Sequence, residues 1–159
     1  MTVISVDKDA QALTMNFTTE FAAPVERVWE MWENPRLLER WWGPPTYPAT
    51  MVRHELVPGG SMRYYMTSPE GDKYFGWWRV LEVEAPHRLD FENGLAGDDG
   101  EPAADTPPML MHVHLNGTDS GTRMVIDCSF PSVAVMEKLM DMGFPEGMSA
   151  ALSQIDNLV

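Results

Sequence analysis

Apolar and polar residues begin to alternate at Leu13. Leu13, Met15, Phe17 and Phe21 fall on one side, and Thr14, Asn16, Thr18 and Glu20 on the other. That two-residue period marks a strand with one buried face. The period changes after Pro24, where Val25, Val28, Trp29 and Trp32 recur at helical spacing. Proline suits a first helical position because the N–H it lacks would be unpaired there anyway. Asn34-Pro35 ends this helix, since the residue before a proline is driven out of the helical region. Pro35 opens a second short helix, with Leu37, Leu38, Trp41 and Trp42 on or near one face, and Gly43-Pro44-Pro45 stops it. At this exit the two large rings of Trp41 and Trp42 are expected to be exposed.

A run of strands follows. Residues 50–57 and 61–67 read as a pair joined at Pro58-Gly59-Gly60, where glycine supplies turn conformations that other residues resist. Residues 74–84 form a long strand and 88–92 a shorter one. In the long strand Phe75, Trp77, Leu81 and Val83 share one parity, while Tyr74, Trp78 and Val80 share the other. Apolar groups on both faces predict a bulge, or an outer face covered by a loop or a second subunit, so a homodimer is one expected partnership. Residues 93–108 read as a long acidic loop carrying Asp98, Asp99, Glu101 and Asp105 and ending in Pro107-Pro108.

The clearest hairpin pairs Met109, Met111, Val113 and Leu115 with Met124, Ile126, Cys128 and Phe130. Ser132 is placed to cap a helix through Val135, Met136, Leu139 and Met140. Gly143-Phe144-Pro145 interrupts it, and a last helix carries Met148, Ala151, Leu152, Ile155, Leu158 and Val159 as an apolar stripe. Residues 1–10 show little periodicity and are expected to be flexible, leaving 11–159 as a single domain. The expected class is α+β, with one curved antiparallel sheet and the final helix covering its apolar face.

Composition narrows the function. A formal net charge of −13 over 159 residues opposes binding to nucleic acid or to an anionic membrane surface, both of which present phosphates. The single cysteine, Cys128, allows no internal disulfide and reads as core filler. No signal-like or membrane-spanning run appears, so a cytoplasmic location is expected.

Constellations with chemistry are sparse. His112 and His114 share a strand face, but no nearby ligand completes a metal site. Ser61 and Ser120 lack a nucleophile-elbow context, and Gly59-Gly60 lacks the lysine of a phosphate loop. No metal or cofactor is expected, and no catalytic residue is assigned. Aromatic and methionine content says more. Trp41, Met62, Tyr64, Met66 and Trp78 are candidate ligand contacts. So are Met111, Val113, Met124, Ile126, Met148 and Leu152. Such residues either line an apolar pocket between sheet and final helix or fill it.

Several motifs carry a resemblance. They include Pro24-Val25-Glu26-Arg27-Val28-Trp29, Trp32-Glu33-Asn34-Pro35, Trp41-Trp42-Gly43-Pro44, Pro58-Gly59-Gly60 and Ser68-Pro69-Glu70-Gly71. Gly121-Thr122-Arg123-Met124 and the tail from Glu146-Gly147-Met148 to Ile155-Asp156 extend it. Together they resemble the activator-of-heat-shock-protein-90-ATPase homologue family of the START-like superfamily. The resemblance implies a helix-grip fold: about seven antiparallel strands around a long C-terminal helix, two small helices and a cavity between them. It implies binding of a small hydrophobic molecule as the leading function. A polyketide cyclase or aromatase-like enzyme and a chaperone-accessory interaction module are the alternatives, the first relying on His54, Tyr64 or Tyr74 and the second on an exposed Trp41-Trp42-Gly43 surface together with the acidic loop. Where many members carry an arginine, this chain has Thr19.

Overall fold

The structure, a computed structural model, describes residues 3–159. Strands β1 (Val3–Asp9) and β2 (Thr14–Phe21) are followed by helices α1 (Val25–Glu33) and α2 (Pro35–Trp41). Then come β3 (Ala49–His54), β4 (Ser61–Thr67), β5 (Lys73–Glu84), β6 (Arg88–Leu95), β7 (Met109–Thr118) and β8 (Gly121–Ser129). Helices α3 (Val133–Asp141) and α4 (Phe144–Ser153) and a 3₁₀ turn at Gln154–Asn157 complete the chain. All the strands join in one antiparallel sheet, in the order β1-β2-β8-β7-β6-β5-β4-β3.

The α+β class and helix-grip arrangement hold, with two corrections. The sheet has eight strands and not about seven, because residues 3–9 pair with β2 where a flexible N-terminus was expected. Residues 5–10 are exposed, so this edge strand rests on backbone bonds and carries no alternation to reveal it. Residues 1 and 2 lie outside the described residues. The C-terminal helix is also not one long rod: Gly143 adopts φ +78°, a left-handed conformation that breaks the chain into α3 and α4.

Alternation turned inward becomes the core. Phe17, Leu89, Phe91, Met111, Val113, Leu115, Met124, Ile126 and Cys128 are buried on the concave face. Each fully buried large side chain there contributes about 1.5–3 kcal/mol of transfer free energy. Burial pushes the Cys128 thiol pKa far up, so the group stays protonated and serves as core. Thr19 is buried on the same face, its hydroxyl donating to the Met124 carbonyl at 3.2 Å.

The two-faced pattern of β5 has its cause in a bulge. Register against β6 shifts between Val80 and Glu82, so Trp78 and Val80 point inward before it and Val83 opposes Leu89 after it. Outward-facing Trp77 lies over Gly94, where a Cβ would come within 2.7 Å of its ring, and its N–H donates to the Leu95 carbonyl at 3.1 Å. The acidic segment is tied in place. Its Ala103 N–H bonds the Leu95 carbonyl at 2.9 Å, Glu101 pairs with Arg63 at 3.6 Å, and Thr106 accepts from Lys138 at 3.4 Å. No helix among the described residues is long and apolar enough to cross a membrane.

Candidate functional site

Strand register builds the centre of the concave face. Tyr64 of β4 stands opposite Gly76 of β5, and Trp78 stands between Met62 of β4 and Asn93 of β6. A Cβ at position 76 would collide with the ring and hydroxyl of Tyr64. Glycine therefore lets the phenol lie flat across β5 and donate to Asn93 Oδ1 on the next strand at 3.2 Å. The Asn93 amide N–H₂ in turn reaches the Met111 sulfur at 3.6 Å.

The helices supply the roof. Trp42 leaves α2 in an extended conformation, φ −73° and ψ 105°, while its N–H still caps the Leu38 carbonyl at 2.9 Å. Its ring meets Trp78 edge-on at 4.8 Å and Tyr64 at 6.1 Å. Trp78 stacks on Phe91 at 3.9 Å, and Trp32 packs edge-on against Trp41 at 4.7 Å. Such pairs add about 0.5–1.5 kcal/mol each beyond area burial.

Indole N–H groups divide sharply here. Trp29 donates to Glu33, Trp32 to the Met124 sulfur, Trp41 to the Met31 carbonyl and Trp77 to the Leu95 carbonyl. Trp42 and Trp78, both buried, have no partner for Nε1 among the described residues. Both face the Tyr64 oxygen without the distance and angle of a hydrogen bond to it. Burial pushes the Tyr64 phenol up to about 12, with the two indoles pulling weakly the other way. Tyr64 is thus a neutral donor at physiological pH.

The sequence-predicted ligand contacts assemble into one continuous core. Met62, Tyr64, Met66, Trp78, Met111, Val113, Met124 and Ile126 share the concave face, beneath Trp41 of α2 and Met148 and Leu152 of α4. Only Met66 is half-buried; the others are buried. Two surface concavities lie elsewhere. One of about 410 Å³ sits between Ala22–Val25 and the Gly117–Gly121 turn, and one of about 340 Å³ between Leu13 and α3.

Asn93 is the residue that sequence reasoning missed, and Trp42, which it counted among the possible pocket-lining rings, lies deeper than expected. Trp42 was expected to be exposed with Trp41, yet their exposures are 4% and 0%, because the turn out of α2 folds the ring back under the helix. Asn93 was placed in the loop, although it continues the inward parity of Leu89 and Phe91. Among the enzyme candidates, Tyr74 is 57% exposed, and His54 places Nε2 3.0 Å from the Trp32 carbonyl. Among the described residues no three His, Cys, Asp or Glu side chains are grouped to hold a metal, and His112 Nδ1 is engaged by Asp90 at 2.8 Å.

A family model described as activator of Hsp90 ATPase homolog 1-like protein matches residues 22–159. No match is found among curated proteins. A solution structure of a protein from Arthrobacter aurescens is 47% identical with a TM-score of 0.95, covering 99% of this chain and 91% of that one. The crystal structure of protein Ms6760 from Mycobacterium smegmatis is 42% identical with a TM-score of 0.91, covering 99% and 96%. A protein from Staphylococcus epidermidis, 24% identical with a TM-score of 0.84 over 98% and 93%, shares the fold. The chain belongs to the activator of Hsp90 ATPase homolog 1-like family.

Proposed function

We propose that the protein binds a small, largely apolar molecule between the concave sheet face and the α2–α4 roof. The observation that carries this reading is the pair of unpartnered indole N–H groups, Trp42 and Trp78, inside an interior otherwise built of aromatic and methionine side chains. A buried donor without an acceptor costs about 1–3 kcal/mol, an expense that a ligand acceptor would remove. Met62, Met66, Met111, Met124 and Met148 surround the face; their unbranched thioether chains repack around an inserted group more readily than branched ones. The half-buried Met66 packs against the turn from Gly43 to Tyr47, its sulfur 3.4 Å from the position where a Gly43 Cβ would stand.

Native mass spectrometry of the purified protein tests the reading, with spectra taken before and after denaturation and after incubation with a panel of apolar aromatic compounds. A released small molecule, or a saturable one-to-one adduct weakened by Met124→Lys or Met148→Lys, supports it. A bare chain mass under every condition overturns it. The interaction-module alternative loses the two rings of its surface, because Trp41 and Trp42 are buried, and keeps only the acidic loop. The cyclase alternative lacks a base in Tyr64, which is held protonated.

A further inference from the structure

We propose that the trough between α3 and the turn joining β1 to β2 is a docking site for a basic amphipathic helix of a partner protein. The trough, about 340 Å³ and open to solvent, lies outside the interior described above. Its floor is apolar: Met136 and Met140 stand one turn apart on α3, with Val133 and Leu13 beside them. Val133 is 57% exposed and Met142, just past the helix, 60%, so apolar surface continues out of the trough. Exposed apolar groups gathered round a concavity mark a contact surface more than the same groups scattered singly. Unbranched methionine chains also adapt to the side chains laid against them.

Charge selects the occupant. Glu137 and Asp141, again one turn apart, edge the trough along α3, and Lys8 stands on the opposite wall. None of the three has an ion-pair partner among the described residues. Asp141 is the last residue of α3, where the helix dipole is already negative, and Lys138, the one cation of that helix, is turned to Thr106. A carboxylate is poorly placed there in the free protein, and a cation laid beside it relieves the placement. A second copy of this chain fits worse, because two molecules of formal net charge −13 repel. An amphipathic helix with lysine or arginine on one flank meets both demands. Its apolar stripe lies on the methionines, its cations lie along Glu137 and Asp141, and its neutral flank passes Lys8.

Three fluorescein-labelled peptides test this by anisotropy titration. One is an amphipathic helix of leucine and lysine, the second has glutamate for lysine, and the third has the lysine composition rearranged to abolish the stripe. Only the first is expected to bind saturably. Val133→Ser and Met140→Gln, which change exposed or half-buried groups, each weaken it about fivefold or more, and Glu137→Lys with Asp141→Lys weakens it at least about tenfold. Lys8→Glu tightens it. Glu70→Lys, in the β4–β5 turn at the far side of the sheet, leaves it within about twofold. Backbone amide signals of residues 8–13 and 133–142 in nitrogen-15-labelled protein are expected to move on binding. Equal binding of the rearranged peptide, or an equal loss in Glu70→Lys, reduces the effect to bulk charge and overturns the site. So do tighter binding of the glutamate peptide, signals that move elsewhere, or binding of none. A concentration-dependent dimer broken by the Val133 and Met140 variants would give the trough to a second copy and overturn the basic partner.

Discussion

Gly76 is the residue on which the centre of the concave face depends. Its φ is ordinary, so the requirement is space: the phenol of Tyr64 occupies the volume a Cβ would need. Gly76→Ala is expected to lift Tyr64 off β5, break its bond to Asn93 and cost about 1–3 kcal/mol as overpacking. Equilibrium urea unfolding measures it. In a Tyr64→Ala background the same Gly76→Ala substitution should cost much less, because the two side chains contend for one space; strictly additive losses would show the clash to be absent. An isolated glycine within a strand pattern is itself a readable sign of close approach. What crosses it was not readable. The crossing joins Tyr64 to Asn93, 29 residues apart, and depends on the register of three strands.

Elements were legible in proportion to how asymmetrically they are buried. Strands β2, β7 and β8 alternate cleanly because one face is core and the other is not, and the Asn34-Pro35 break falls where the proline rule puts it. Edge strand β1 has no such contrast, and the exit of α2 hides Trp42 by a single change of backbone angle. The C-terminal unit shows how separate elements are joined. Gln154, beyond α4, donates through its amide to the Gly43 carbonyl at 2.7 Å and the Trp41 carbonyl at 3.3 Å. It thereby ties the last turn to the exit of α2, next to Trp42. Gln154→Ala is expected to cost about 1–2 kcal/mol through two lost bonds and newly unpaired carbonyls. Amide hydrogen exchange should accelerate in residues 151–159 while strands β7 and β8 keep their protection. Uniform acceleration across the sheet would show that the C-terminal unit does not open on its own.

Across the whole molecule, 24 acidic and 11 basic side chains set two opposing responses to acid. Falling pH first relieves repulsion within a chain of formal net charge −13, which favours the compact state. Asp90 acts in the other direction. Its carboxylate is 3% exposed on the outer face; burial alone would raise its pKa, but Arg88 at 2.6 Å and His112 at 2.8 Å outweigh burial and hold it below the usual carboxylate range. A depressed folded pKa means stability that is present above the unfolded value, about 3.9, and lost as pH falls through the lower folded one. Stability is therefore expected to hold or rise from pH 7 toward 5 and to fall below about pH 4. Asp90→Asn separates the two responses. At pH 7 it leaves the Arg88 guanidinium with only the more distant Glu84 carboxylate, at 3.7 Å, and should cost about 1–3 kcal/mol. Protonation of the native Asp90 erases the same interaction, so the gap between native and variant proteins should narrow steadily as pH drops from 5 to 2 in urea unfolding. A gap that stays constant over that range would mean that packing, and not charge, is what Asp90 contributes, and the acid limit would then belong to the surface carboxylates as a group.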